Sequence, residues 1–441
     1  MRLFLVSLAV FFAMFAKAEQ PNIIIILADD AGSADFSCYG SKQVNTTHID
    51  EMARQGMKFT QAYAAASVCS PSRAGLLTGR YQQTFGHLSN IPHKPYPFND
   101  PEKLGLPLSE ITLATALKEL GYSTHCIGKW HLGEAHQFHP NSRGFDNFYG
   151  FLSGARTYYL GAEVRGDQDK IMRNREIAEP ASGYTTELFT DEAIRIVNQK
   201  SEKPFFIYLS HNAVHGPMDA REKDIMPYPF NNPLRKKFSG LLKSLDDQTG
   251  RLMEALKAAG EYENTLIFFM SDNGGPTDHN GSSNWPLRGK KGSEYEGGNR
   301  SPLIIQWPAK IEPFKVCNEP VIAYDIFVTC IAVAGGKLKS DRKYPGQDLL
   351  KIKNDEYDFS RPLFWSRGKN FAIREGKWKL LITEKENSLF DLSVDQSEKN
   401  DLSAQFPEIK QDLNNKLMDW KATHAAPLWS SGFKSKKKVV Q

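Results

Sequence analysis

Residues 68–80, VCSPSRAGLLTGR, contain one cysteine at the predicted start of a short helix. Ser70 is a candidate N-cap, and Gly79 is typical of a residue that ends a helix. Such a helix would direct free backbone N–H groups and the positive end of its dipole toward Cys69, with Arg73 reaching back to the same place. The stretch therefore predicts an anion-binding site that contains a sulfur nucleophile.

Two short apolar runs elsewhere in the chain end in side chains that carry oxygen. Their sequences are NIIIILADD at residues 22–30 and TLIFFMSDN at residues 265–273. Continuous apolar runs are typical of central parallel strands, and ligands bind beyond the carboxyl ends of such strands. The side chains found there are Asp29, Asp30, Asp272 and Asn273. These oxygen ligands favour Ca²⁺ or Mg²⁺ over zinc, and their spacing does not choose between the two ions.

Cationic side chains follow other predicted strands and glycine-rich loops. Lys129 and His131 lie in GKWHLG, and His215 precedes Gly-Pro. Lys290 and Lys291 lie in RGKKGSEYEGG. In an extended segment Lys129 and His131 would point to the same side, where two cationic donors at the carboxyl end of a strand suit a bound oxyanion. As an isolated pair they are more typical of a surface lysine and a structural histidine.

The composition is that of an ordinary globular protein, with 441 residues and 40% hydrophobic content. The 55 basic and 51 acidic residues give a net charge of +4, so no general polyanion-binding surface and no nucleic-acid partner are expected. A basic tail near the C-terminus is interpreted as a solubilising end, with contact to an acidic glycan as the alternative. It comprises Lys434, Lys436, Lys437 and Lys438.

The N-terminal segment MRLFLVSLAVFFAMFAKA has an early Arg2, an apolar run, and small residues at Ala16 and Ala18. This arrangement predicts a signal peptide over residues 1–18 and an exported protein, either periplasmic or secreted. The apolar run is short for a membrane span, so no stable membrane insertion is expected.

Five cysteines show no C-x-x-C spacing, which argues against a structural zinc site. Disulfides and buried free thiols both remain compatible with the sequence. The residues are Cys38, Cys69, Cys126, Cys317 and Cys330.

Predicted strands alternate with predicted helices up to about residue 350, which indicates an α/β domain over residues 19–350. The helices are expected at residues 109–120, 185–198, 238–259 and 321–335. Short strands follow, with a turn at Glu375 and Gly376, and a last helix is expected over residues 407–424. Residues 351–441 are therefore predicted to form a small α+β subdomain with an antiparallel sheet and the basic tail.

The block C-x-P-S-R followed by L-T-G-R resembles the signature of the type I sulfatases. Nearly the whole chain after residue 18 resembles arylsulfatase B-like members of this family, which belongs to the alkaline phosphatase superfamily. The resemblance implies a mixed, mostly parallel sheet between layers of helices. It also implies that a maturation enzyme oxidises Cys69 to formylglycine. The implied ligands of a bound Ca²⁺ are Asp29, Asp30, Cys69, Asp272 and Asn273.

The same resemblance implies a role for each cationic residue. Arg73 and Lys129 would steady the aldehyde hydrate of residue 69, and His131 would take the proton whose loss lets sulfate leave. His215 and Lys291, rather than the adjacent Lys290, would contact the sulfate oxygens and help to protonate the departing alcohol.

The expected substrate is a sulfated carbohydrate. Four residues are candidates for sugar subsites, namely Tyr158, Tyr159, Trp285 and Arg288. Two other functions are compatible with the sequence. One is a phosphatase or phosphonate monoester hydrolase on the same scaffold, and the other is a non-catalytic binder of sulfated glycans in which Cys69 stays a thiol.

Overall fold

The computed structural model describes residues 20–92, 100–354 and 356–429. The predicted signal peptide and the basic tail lie outside these residues. No helix within the described ranges is long and apolar enough to cross a membrane.

A sheet of ten strands forms the centre of the molecule. In chain order its strands are β1 Asn22–Ala28, β2 Met57–Tyr63, β3 Ser123–Lys129, β4 Asn147–Phe151, β5 Met172–Arg173, β6 Glu176–Ile177, β7 Phe205–Ser210, β8 Thr265–Ser271, β9 Leu303–Gln306 and β10 Lys315–Ile322. In space the order is β10-β2-β9-β8-β1-β7-β3-β4-β5-β6. β1 is parallel to both of its neighbours, whereas β9 runs antiparallel between β2 and β8.

Both faces of this sheet are covered, which explains the uninterrupted apolar run in β1. Ile23 and Ile25 belong to one buried cluster, and Ile24 and Ile26 belong to another on the opposite face. Successive side chains of a strand point to opposite faces, so a strand buried on both sides needs apolar residues at every position. The predicted fold class, a mostly parallel sheet between helices, is confirmed.

Helices pack on the two faces and along the sheet. Their bounds are α1 Thr47–Arg54, α2 Cys69–Thr78, α3 Leu113–Glu119, α4 Thr185–Val197, α5 Glu222–Ile225, α6 Pro233–Ala259, α7 Glu296–Asn299, α8 Tyr324–Val333 and α9 Pro407–Ala422. Buried residues of α2, α3 and α8 join the cluster that contains Ile23, and those of α1, α4 and α6 join the cluster that contains Ile24.

Three predicted helix starts are wrong. α3 begins at Leu113, because the side chain of Thr112 accepts a hydrogen bond from the backbone N–H of Thr115 and caps the helix there. α6 begins at Pro233, five residues before the predicted start, with Asn232 as its cap. The segment that begins at residue 321 is still part of β10, and α8 begins only at Tyr324.

The C-terminal part contains the predicted antiparallel sheet, with strands in sequence order. The strands are β11 Leu363–Arg367, β12 Asn370–Glu375, β13 Trp378–Ile382 and β14 Asn387–Asp391. Ile373 and Leu380 of this sheet pack against Leu413 and Leu417 of α9. The division of the chain into domains at residue 350 stays a prediction.

A buried ion pair joins this small sheet to the main domain. The ammonium group of Lys379 on β13 lies 2.9 Å from Glu296 at the start of α7 and 2.8 Å from Glu398. All three side chains are buried, and the Glu398 carboxylate also accepts a hydrogen bond from the backbone N–H of Glu296. The antiparallel sheet thereby fixes the segment that follows the Lys290–Lys291 loop.

Candidate active site

Cys69 is the first residue of α2 and is 1% exposed. The helix ends at the left-handed Gly79, as predicted, but the predicted N-cap is wrong. Val68 is the N-cap residue, and the hydroxyl of Ser70 instead donates to the carbonyl of His131 at 2.8 Å. Ser70 lies inside the first turn, so its side chain reaches a neighbouring segment rather than its own helix end.

The four predicted oxygen-bearing residues lie together beyond β1 and β8. Asp29, Asp30, Asp272 and Cys69 each place a ligand atom so that these atoms all lie within 4.8 Å of one another. Because Ca²⁺ binds oxygen at about 2.3–2.6 Å, ligands of one ion lie up to about 5 Å apart. The buried Oδ1 of Asn273 has no hydrogen-bond partner among the described residues. The spacing, the carboxylates and the unpartnered carbonyl all fit a single hard cation.

Three cationic side chains border this carboxylate cluster, namely Arg73, Lys129 and Lys291. The guanidinium of Arg73 donates to Asp272 at 2.9 and 3.1 Å. The ammonium of Lys129 lies 2.5 Å from Asp29, and both side chains are fully buried. Such buried pairs are stable only when the partners are close and hydrogen-bonded, and here the pairing fixes the direction of each carboxylate.

Of the two adjacent lysines, Lys291 lies at the cysteine. Its ammonium group is 3.0 Å from the Cys69 sulfur and 2.8 Å from Asp30. Lys290 pairs instead with Asp278 in a partly exposed ion pair. The Lys291 loop is fixed on both sides, because the backbone N–H of Gly292 donates to Ser67 and the Arg367 guanidinium donates to the Gly292 carbonyl.

The two predicted histidines have different surroundings. His215 places Nε2 3.5 Å from Asp30, and its Nδ1 lies 2.6 Å from the carbonyl of Gly216. β3 ends at Lys129, and His131 has a φ of 58°. The chain is therefore no longer extended at His131, although the prediction that its side chain points to the same side as that of Lys129 had assumed an extended segment. Its Nδ1 is buried without a partner among the described atoms.

Burial and charge shift the acid–base properties of this cluster. Burial raises the pKa of Cys69 well above its ordinary value despite Lys129 and Lys291, so the thiol stays protonated at neutral pH. Burial alone would raise the pKa of Asp30, but Lys291, followed by His215 and Lys129, holds it well below its usual range. Burial lowers the pKa of His131, and that of His215 to about 4.

Two of the candidate sugar-binding residues have structural partners. Tyr158 is fully buried, and its hydroxyl hydrogen-bonds with the carbonyls of Asn212 and His215 at 2.7 and 2.8 Å, so its predicted place in a sugar subsite is wrong. Arg288 pairs with Glu386, which lies between β13 and β14 of the small sheet. Tyr159 is partly exposed beside Tyr184, and Trp285 is 78% exposed.

Sequence reasoning missed a set of residues that support the cysteine helix from the far end of the chain. The Asn90 side chain accepts a hydrogen bond from the backbone N–H of Ser70 at 2.9 Å. The Trp429 indole donates to the Asn90 carbonyl at 3.0 Å and packs edge-on against His87. No motif marks these residues, because the contact joins segments that are more than three hundred positions apart.

Residues 425–429 are called the C-terminal clamp below. The backbone N–H of Ala425 donates to Gln83, and that of Leu428 donates to Gly86, at 2.9 and 3.0 Å. With Trp429, these bonds hold the segment that carries Asn90 against α2.

Residues 21–336 match the protein-family model described as Sulfatase. The chain is 33% identical over 377 residues to N-acetylgalactosamine-6-sulfatase of Rattus norvegicus, which covers 82% of this chain and 71% of the relative. It is 31% identical over 470 residues to arylsulfatase J of Mus musculus, with 92% of this chain and 77% of the relative covered.

Among solved structures, the chain is similar to Ps i-CgsB in complex with k-i-k-neocarrahexaose. The TM-score is 0.88 at 33% identity, and the alignment covers 93% of this chain and 95% of that one. All five cysteines are free thiols, which is one of the two outcomes that the sequence left open. The family match, the relatives and the fold agree with one another. The chain therefore belongs to the sulfatase family and is a sulfuric ester hydrolase.

Proposed function

We propose that this enzyme removes sulfate from a sulfated carbohydrate, using Cys69 converted to formylglycine and one bound Ca²⁺. The observation that supports this most directly is the convergence of Cys69, the buried carboxylates and Lys291 at one point. Buried carboxylates beside a buried sulfur suit a cation and a polar group at residue 69 better than an apolar thiol.

The unmodified cysteine is a poor candidate for the nucleophile. Its pKa is raised by burial, and the thiolate, not the thiol, is the nucleophilic form. A sulfated cysteine would also need a second attack on a hindered, negatively charged sulfur. Addition of water to the formylglycine aldehyde gives a hydrate with two hydroxyls, of which one attacks sulfur and expels the alcohol. Deprotonation of the other reforms the aldehyde and breaks the bond between its carbon and the sulfate oxygen, which releases the sulfate.

The cation would be held by Asp29, Asp30, Asp272 and Asn273, together with residue 69. A Ca²⁺ ion held there would polarise sulfate oxygens and favour the deprotonated form of a nearby hydroxyl. Asp272 accepts two hydrogen bonds from Arg73, which orients its carboxylate toward residue 69 for the activation of that hydroxyl.

The surrounding basic residues have the remaining roles. Arg73 and Lys129 hold the group at residue 69 in place, and His131, neutral because burial lowers its pKa, accepts the proton that accompanies sulfate release. Lys291 and His215 contact the sulfate oxygens and assist the departing alcohol. Their positions are fixed before substrate binds, so they stabilise charge where it develops in the transition state.

The substrate class is proposed from the relatives. Similar proteins act on N-acetylgalactosamine 6-sulfate or hold a neocarrahexaose, and both are sulfated carbohydrates. We further propose that residues 1–18 export the chain to the periplasm or the medium, which fractionation of the native host with an antibody would test.

The test uses protein produced with a formylglycine-generating enzyme and assayed for inorganic sulfate. Substrates are k-i-k-neocarrahexaose, N-acetylgalactosamine 6-sulfate, 4-nitrophenyl sulfate and 4-nitrophenyl phosphate. We expect sulfate release from at least one sugar, loss of release in Cys69→Ala, and a formylglycine at residue 69 by mass spectrometry. Chelation should stop turnover and Ca²⁺ should restore it.

Three outcomes would contradict the proposal. Faster turnover of the phosphate than of the matching sulfate would favour a phosphatase. Tight binding of the sugars without sulfate release would favour a glycan binder. Full activity in a sample whose residue 69 is unmodified cysteine would overturn the mechanism.

A further inference from the structure

A cleft opens beside His131, and none of the predicted metal ligands is among its lining residues. Its lining includes His131, Glu134, Leu152, Gly154 and Arg165. Of these residues, His131 has a role in the proposed reaction, and the others have none. The cleft therefore lies where the part of a substrate next to its sulfate would be held.

Backbone hydrogen bonds keep the three segments of this cleft in register. The N–H of His131 donates to the Leu152 carbonyl at 3.0 Å. The N–H groups of Leu152 and Ser153 donate in turn to the Gln168 carbonyl at 2.9 and 3.2 Å. The turn that carries Arg165 is therefore attached directly to the segment that positions His131.

Arg165 is held in one orientation although its side chain is half exposed. Its Nε donates to the carboxylate of Asp169 at 2.8 Å, and its Nη2 donates to the Ala155 carbonyl. Asp169 is 1% exposed, so this partner is itself fixed. Nη1 makes no hydrogen bond within the described part of the chain, which leaves a positioned donor at the cleft.

Glu134 provides the opposite kind of group. Its carboxylate forms no hydrogen bond or ion pair with any residue that the structure describes, although it lines the same cleft as Arg165. Burial, followed by the nearby Asp169 carboxylate, raises the pKa of Glu134 to about 7, so near neutral pH this group is divided between its ionised and protonated forms. The cleft therefore offers a carboxyl group that can accept or donate a hydrogen bond and one positioned donor from Arg165.

A glycine keeps the path between this cleft and the imidazole open. A Cβ added at Gly154 would lie 2.6 Å from Nε2 of His131, which is closer than such contacts allow. Any larger residue would therefore crowd the ring on the side that faces the cleft.

We propose that Glu134 and Arg165 form a subsite for the sugar ring that carries the scissile sulfate, in which Glu134 accepts a hydrogen bond from one ring hydroxyl and Arg165 donates to another oxygen. This inference rests on the proposed function. A carboxyl group beside a guanidinium that is already paired with Asp169 suits neutral hydroxyls better than a second sulfate on the same ring.

The experiment compares Glu134→Gln and Arg165→Ala with wild type on N-acetylgalactosamine 6-sulfate, k-i-k-neocarrahexaose and 4-nitrophenyl sulfate. Hydrogen bonds to charged groups are worth enough to lower kcat/KM about 10- to 100-fold when they are lost. We expect that loss on the better sugar substrate and a much smaller one on the aryl sulfate, which has no ring hydroxyls. Glu163→Gln, an exposed acid on the same loop, is the matched control and should change neither.

Binding gives an independent readout. In a Cys69→Ala background, calorimetry should show weaker binding of the sugar sulfate in Glu134→Gln than in Glu163→Gln. Equal losses on sugar and aryl sulfates, or no loss on either, would overturn the subsite. Sulfate release by wild type from the aryl sulfate alone would also overturn the subsite, but the enzyme would remain a sulfatase. No release by wild type from any sulfate ester would overturn both the proposed function and the subsite.

Discussion

Lys290 and Lys291 are adjacent in the sequence and differ completely in their surroundings. The ammonium of Lys291 lies 3.0 Å from the Cys69 sulfur, and that of Lys290 pairs with Asp278 at the surface. We expect Lys291→Ala to lower kcat on an aryl sulfate by about 10²- to 10³-fold, the usual effect of removing one preorganised donor. Lys290→Ala is the matched control and should stay within about threefold of wild type.

The measurement is initial-rate kinetics on protein of equal formylglycine content. Equal losses in both variants would mean that the loop, and not the position of one ammonium group, is what matters. A loss in Lys290→Ala alone would reverse the assignment.

Which site residues can be recognised from the sequence depends on whether they end a regular element. Asp29 and Asp272 follow apolar strands, and parallel strands end at the same edge of a sheet, so their proximity follows from the pattern. Asn90 and Trp429 lie in irregular segments and act through contacts at long sequence separation. Neither periodicity nor a motif reports such contacts, so these residues became visible only in three dimensions.

The C-terminal clamp is the element that holds the segment around Asn90 against the cysteine helix. Trp429→Ala removes its hydrogen bond to Asn90 and its contact with His87. We expect the free energy of unfolding to fall by about 3 kcal/mol, as for other large-to-small changes of buried aromatic residues, together with a loss of sulfatase activity.

The control for this variant is Leu428→Ala, since Leu428 is the adjacent residue of the clamp and is 40% exposed. Urea denaturation and aryl sulfate turnover should both place it close to wild type. Indistinguishable results for the two variants would show that the clamp does not support the site through Trp429.

The antiparallel sheet is connected to the main domain through Lys379. Replacing it by methionine keeps the length of the side chain but leaves the buried Glu398 carboxylate without its cation. Removing one partner of a buried pair costs about 3–5 kcal/mol, and we expect that loss in the free energy of unfolding. Lys369→Met, which removes an exposed lysine next to β12, should have little effect in the same denaturation assay. An equally small effect of Lys379→Met would mean that water reaches this pair.

Helix ends were harder to predict than strands, for a physical reason that α3 and α8 illustrate. The apolar positions before Leu113 are compatible with a helix, but the Thr112 side chain bonds to the backbone ahead of it and starts the helix there. Val321 and Ile322 are apolar in either state, and pairing with β2 decides in favour of a strand. Local sequence leaves such choices open, and tertiary partners settle them.

At the scale of the whole molecule, buried histidines make stability depend on pH. Burial lowers the pKa of His87 and of His211 to about 3. Because an unperturbed histidine titrates near pH 6.5, the unfolded chain binds protons below that pH while the folded chain does not, down to about pH 3. The free energy of unfolding should therefore decrease as the pH is lowered below about 6.5, by up to about 1.4 kcal/mol per pH unit for each histidine.

Urea denaturation of wild type and His211→Gln at pH 7.0 and pH 5.5 isolates one of these groups from the carboxylates. We expect the variant to lose about 1 kcal/mol less than wild type over this interval. The same change in both proteins would show that His211 is not held in its neutral form.

The burial of Cys69 also has a consequence for the time at which another enzyme could act on it. Only 1% of Cys69 is exposed in the folded chain, so a modifying enzyme cannot reach its sulfur there. Conversion of this side chain would therefore have to take place before α2 is packed into the core, so that maturation would precede folding.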